Sequence, residues 1–108
     1  MDWMGACDNY FCVTYYIILG VRRYCVAEAP QGATIEIDNA RLGLLYVAEG
    51  SYGLAGLYLV SYSRVCPVYP EETTVWSVVK DSTTRTVTVT RTRSGTGNLD
   101  CLYINCRK

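Results

Sequence analysis

Between residues 84 and 93 threonine stands at every second position, and Arg85, Val87, Val89, Arg91 and Arg93 fill the places between. A repeat of two is the period of a pleated strand, whose successive side chains leave opposite faces. The segment is therefore expected to be a β-strand with Val87 and Val89 toward a core and the threonines toward solvent. Such a strand is stable only beside partners, so the rest of the chain has to supply a sheet.

It offers several candidates. Residues 13–19 and 21–27 are rich in β-branched and aromatic side chains and are separated by Gly20. Ala33, Ile35 and Ile37 alternate with Thr34, Glu36 and Asp38 before Asn39 closes the run. Residues 42–47 and 57–62 read as further apolar strands on either side of a turn at 49–53, with a short helix within 42–59 as the alternative. Residues 66–71, with Pro67 and Pro70, read as a loop. In residues 73–80 Val75, Ser77 and Val79 oppose Thr74, Trp76, Val78 and Lys80, and Asp81-Ser82 reads as a hairpin turn. A glycine-containing turn at 94–98 leads into a last strand at 99–106. About eight short strands joined by turns predict an all-β fold, a small antiparallel barrel or sandwich.

The chain of 108 residues is expected to form one domain, residues 1–108. Half of it is apolar and ten basic residues balance ten acidic ones, which argues against nucleic acid or an anionic membrane as partner. Its longest apolar run, residues 15–19, is far short of the roughly 18 residues of a membrane-spanning helix. Six cysteines, Cys7, Cys12, Cys25, Cys66, Cys101 and Cys106, and no histidine point to a secreted, disulfide-stapled domain. Three bridges allow fifteen pairings, and spacing does not choose among them. An all-thiolate zinc site from Cys7, Cys12, Cys101 and Cys106 is disfavoured, because the residues between each pair look like strand rather than knuckle. The start Met1-Asp2-Trp3-Met4 lacks the marks of a signal peptide, and Met1 is read as an added start on a mature secreted chain.

Catalysis finds little support. A cysteine or serine nucleophile has no histidine to serve as base, and no nucleophile elbow, phosphate-cradling loop or metal triad is present. Glu28, Glu36, Asp38 and Glu49 are carboxylates that read as solvent-facing charges at strand ends. The expectation is a non-enzymatic protein with no catalytic residue, no metal and no cofactor. The threonine row reads as a solvent-facing strand face rather than an ice-binding lattice, which needs several parallel rows.

Two stretches carry a resemblance. Arg23-Tyr24-Cys25-Val26-Ala27-Glu28 followed by residues 32–39 resembles the second and third strands of invertebrate lipocalins. Residues 57–66, tyrosine-rich and ending in Cys66, and residues 74–80 resemble two later strands of that family. The resemblance implies an eight-stranded barrel holding one small apolar ligand, with Cys25 bridged to a C-terminal cysteine and Cys66 bridged to Cys7 or Cys12. In such a carrier Tyr16, Tyr46, Tyr58, Tyr62 and Trp76 line the interior, and Arg91 or a tyrosine hydroxyl orients the ligand. The alternative is a secreted toxin, effector, inhibitor or matrix protein acting on a protein partner through its surface. Ten tyrosines against one phenylalanine favour that class, with Tyr10, Tyr15, Tyr52 and Tyr69 as surface candidates.

Overall fold

The structure is a computed structural model and describes residues 20–69 and 73–106. These form eight strands: β1 (Val21–Val26), β2 (Thr34–Ile37), β3 (Gly43–Glu49), β4 (Leu54–Val60), β5 (Val65–Tyr69), β6 (Trp76–Asp81), β7 (Thr86–Arg91) and β8 (Leu99–Asn105). All pairings are antiparallel. One sheet has the order β1-β8-β3-β4-β5 and the other β2-β7-β6. The two sheets do not close into a barrel, so the architecture is a two-sheet packing and not the closed cylinder that the lipocalin resemblance implies. No helix occurs among the described residues, hence none long and apolar enough to cross a membrane.

Period-two patterning places the core. In β7 Val87, Val89 and Arg91 are buried while Thr86, Thr88 and Thr90 are half-buried. Ile35 and Ile37 of β2 join Val87, Val89 and Trp76 on the inner face of the smaller sheet. The larger sheet contributes Leu45, Val47, Tyr58, Val60, Leu99, Cys101 and Tyr103. Burying aliphatic side chains of this size is worth about 1.5–3 kcal/mol each, which makes the contact between sheets the main source of stability.

Several expectations are corrected. Residues 65–69 are a strand, not a loop: β5 is an edge strand, and an edge tolerates Pro67 because its missing N–H need not serve a second neighbour. The helix considered within 42–59 is instead the β3–β4 hairpin. The strand expected at 13–19 lies outside the described residues.

The three-disulfide staple is not supported either, since Cys66, Cys101 and Cys106 are free thiols. Strand order explains it. Cys101 and Cys106, at β8 and its end, are separated from Cys66 on β5 by β3 and β4, about 14 Å at the usual strand spacing. A disulfide needs its Cα atoms within about 7 Å. Cys101 and Cys106 follow one extended stretch and stand too far apart along it to join. Cys25 is disulfide-bonded, but to neither C-terminal cysteine.

Candidate binding surface

Strand β4 carries apolar side chains on both faces. Tyr58 and Val60 point into the core, whereas Leu57 and Leu59 point outward and are 37% and 52% exposed. Antiparallel pairing sets Tyr69 beside Leu57 and Cys66 beside Leu59 on β5, with a register shift between Leu57 and Tyr58. Tyr69 is 71% exposed and Val68 48%. Tyr62, in the connection between β4 and β5, is exposed as well. This end of the larger sheet therefore presents a contiguous apolar and aromatic surface.

Beside it the sandwich is open. Between the edge strands β5 and β6 lies a cleft of about 340 Å³, lined by Tyr58, Val65, Pro67, Trp76 and Val78 together with Thr73 and Ser77. Trp76 and Tyr58 are held together at its floor, where the indole Nε1 donates to the Tyr58 hydroxyl at 2.6 Å. Burial pushes the Tyr58 hydroxyl above its ordinary range, and the bond from Trp76 partly offsets this. Tyr58 thus accepts from Trp76 and keeps its own proton as a donor.

Lys80 braces the same side. Its ammonium donates to the Ala40 carbonyl and, at 2.7 Å, to the Ser61 carbonyl, which ties β6 to the connection after β4. Burial lowers its pKa, and the nearby Arg85 charge lowers it further.

Of the six aromatic and basic residues expected to line an interior, two come together: Tyr58 and Trp76. Tyr46 points outward from β3, between Leu57 and Leu102. Tyr62 is on the surface, and Tyr16, with Tyr10 and Tyr15, lies outside the described residues. Arg91 is fully buried in an ion pair with Glu49, which is 1% exposed rather than a solvent-facing charge. Tyr52, in the turn between β3 and β4, is stacked 4.5 Å beneath the Arg93 guanidinium and donates to the Ser94 carbonyl.

No family model, curated protein or solved structure matches the chain.

Leu57, Leu59 and Val68 were not among the residues singled out by sequence. The signal was nevertheless there: residues 54–60 are apolar at both parities, which a strand with one wet face does not require.

Proposed function

We propose that the protein is a secreted, non-enzymatic binding domain that engages a protein partner through the apolar surface of β4 and β5. The observation that carries this reading is the set of outward Leu57, Leu59 and Tyr69 on adjacent strands, with Val68 also exposed at the register shift beside Tyr69, at the open edge of the sandwich. Isolated apolar residues on a surface are ordinary, but a contiguous set including tyrosine is what protein interfaces use. The adjoining cleft adds a pocket into which a partner side chain can anchor. The disulfide at Cys25 supports an oxidising, extracellular setting.

The test is a photo-crosslinking amino acid placed at Leu59 and, as control, at Thr88 on the other sheet, in the protein within its source tissue. A discrete protein adduct from Leu59 and not from Thr88 is expected. Equal capture at both positions, or none at either, sinks the reading.

A second reading, carriage of a small hydrophobic molecule, is favoured by the Tyr58–Trp76 cleft. Its volume lies near the lower end of the roughly 300–1,000 Å³ of ligand sites, and it opens between two sheet edges rather than being enclosed. Titration with an apolar fluorescent probe separates the two. Saturable one-to-one quenching of tryptophan emission, lost in Tyr58→Ala, supports carriage, whereas emission that ignores the probe rejects it.

A further inference from the structure

A second cleft, of about 440 Å³, opens beside the one at Tyr58 and Trp76 and is lined by Leu54, Thr73, Thr74, Val75 and Arg93. Thr73 lines both clefts, and the consecutive residues Val75 and Trp76 contribute one to each. Leu54 and Tyr58 likewise belong to one strand, at the same parity and four residues or about 13 Å apart. The two clefts are therefore neighbouring compartments of one groove along the open side of the sandwich.

Their chemistry differs. The compartment at Tyr58 and Trp76 is apolar and aromatic and, among the described residues, carries no charge. The other ends on Arg93. This guanidinium stacks on the Tyr52 ring at 4.5 Å, and the Tyr52 hydroxyl is itself fixed by donating to the Ser94 carbonyl. The Arg93 amide donates to the Val75 carbonyl at 3.3 Å, which sets the residue's backbone against the cleft. Stacking uses the flat face of a guanidinium and leaves its N–H edge for an anion. Among the described residues no carboxylate takes that edge. Glu49, the residue paired with Leu54 across β3 and β4, is committed to Arg91 and to the Tyr52 amide.

Hydroxyls complete the same end. Thr73 Oγ1 accepts from the Val75 amide at 3.1 Å, so its O–H remains to donate, and the exposed Thr74 adds a second hydroxyl. One uncompensated positive charge beside two hydroxyls suits an anion, and the adjoining compartment suits a hydrocarbon.

We propose that the groove is one site for a small amphipathic carboxylate, with its carboxyl group on Arg93 and the threonine hydroxyls and its apolar chain against Tyr58 and Trp76. The inference rests on the carriage reading of the Tyr58–Trp76 cleft and adds to it the polar end and the class of ligand. A single guanidinium balances a singly charged group, and its planar fork matches the two oxygens of a carboxylate. Arg91, expected to orient a ligand, is already neutralised by Glu49 in the core, which leaves that part to Arg93.

Isothermal titration calorimetry of the full-length protein with octanoate, octanol and octyltrimethylammonium, each below its micellar concentration and solubility limit, tests the site. Octanoate is expected to bind one to one and about tenfold more tightly than octanol, with the cation weakest. Arg93→Gln is expected to remove the difference between octanoate and octanol while leaving octanol unchanged. Arg64→Gln, at an exposed arginine in the connection between β4 and β5, is expected to leave that difference intact. From butanoate to octanoate, affinity is expected to rise several-fold with each added pair of methylenes.

Equal affinity for octanoate and octanol, or a preference that survives Arg93→Gln or vanishes in Arg64→Gln, overturns the inference while leaving carriage of a neutral apolar molecule standing. Affinity that ignores chain length, or no binding of any octyl compound, overturns both.

Discussion

Arg91 at the end of β7 and Glu49 at the end of β3 form an ion pair that joins the two sheets, with neither side chain exposed. The rest of each group is satisfied locally. Glu49 Oε1 accepts from the Tyr52 amide at 2.9 Å, and Arg91 donates from Nε to the Arg93 carbonyl at 2.8 Å and from Nη1 to the Gly97 carbonyl at 3.1 Å. Gly95 leaves room for this arrangement, since a Cβ there would lie 2.0 Å from Arg91 Nη2. Removing one charge strands the other in the core, so Glu49→Gln is expected to cost about 3–5 kcal/mol. The double variant Glu49→Leu with Arg91→Met removes both charges and is expected to lose less than the sum of its parts. Urea unfolding of the two single variants and the double variant checks this, and additive losses would mean the pair is not coupled.

Both members of that pair are legible in the sequence by parity and illegible by position. Arg91 follows Val87 and Val89 at the same two-residue step, and Glu49 follows Leu45 and Val47, so each points inward with the valines. Glutamate near a turn nevertheless reads as a wet strand end, because nothing local says that a distant arginine meets it. Strand existence and facing are local properties and can be read. Sheet order is not, and it is the order β1-β8-β3-β4-β5 that isolates Cys66 from Cys101 and Cys106 and leaves β5 at an edge. The binding surface falls between these cases. Tyr58 and Trp76 are legible as aromatics on strands, but only the packing of two sheets brings them to one cleft.

Tyr58→Phe tests that contact. The substitution keeps the ring and removes the acceptor, which leaves the buried Trp76 Nε1–H unpaired. A loss of about 1–3 kcal/mol is expected, together with a shift in tryptophan emission. Unchanged stability and an unchanged spectrum would show that the bond contributes nothing.

Gly43 is irreplaceable for reasons of space. A Cβ at this position would lie 2.2 Å from the Ile104 carbonyl oxygen and 2.8 Å from the Tyr103 hydroxyl. Tyr103 is fully buried and the carbonyl belongs to the backbone of the adjacent strand, so neither yields easily. Gly43→Ala is expected to cost at least about 1–3 kcal/mol, the usual range for overpacking. Gly53→Ala meets nothing within 4 Å and serves as the comparison, its cost limited to the positive φ of 63°. Thermal unfolding that ranks Gly53→Ala as the more damaging change contradicts this assignment.

The free thiols should separate by rate. Cys106 is exposed, Cys66 half-buried and Cys101 buried in the core. Burial, reinforced by the Asp100 charge, raises the Cys101 pKa far above the ordinary thiol range, so the reactive thiolate is absent at neutral pH. In maleimide labelling followed by peptide mapping, Cys106 is expected to react first and Cys66 more slowly. Cys101 should react only at the rate of global opening, and faster in urea. Early modification of Cys101 under native conditions would place it outside the core.

Alkaline pH should weaken the fold, and the direction follows from which groups prefer to stay protonated. Desolvation raises the hydroxyl pKa of Tyr24, Tyr58 and Tyr103 above the ordinary value of 10.0. It also raises the Cys101 thiol above its ordinary 9.0. A group whose folded pKa is raised binds more protons in the native state than in the unfolded one, so its contribution is complete below the unfolded value and is lost as pH rises through the folded one. Lys80 runs the other way. Its lowered pKa means that the folded protein releases that proton first, which favours the native state as pH rises toward 10.5. Four raised groups against one lowered group predict a net fall in the urea midpoint, beginning near pH 9 and steepening above pH 10. Tyr24→Phe, which removes one titrating hydroxyl at the edge of the core, should make that fall shallower. A midpoint that stays level or rises across this range would show that burial does not hold these three hydroxyls and the Cys101 thiol in their protonated forms.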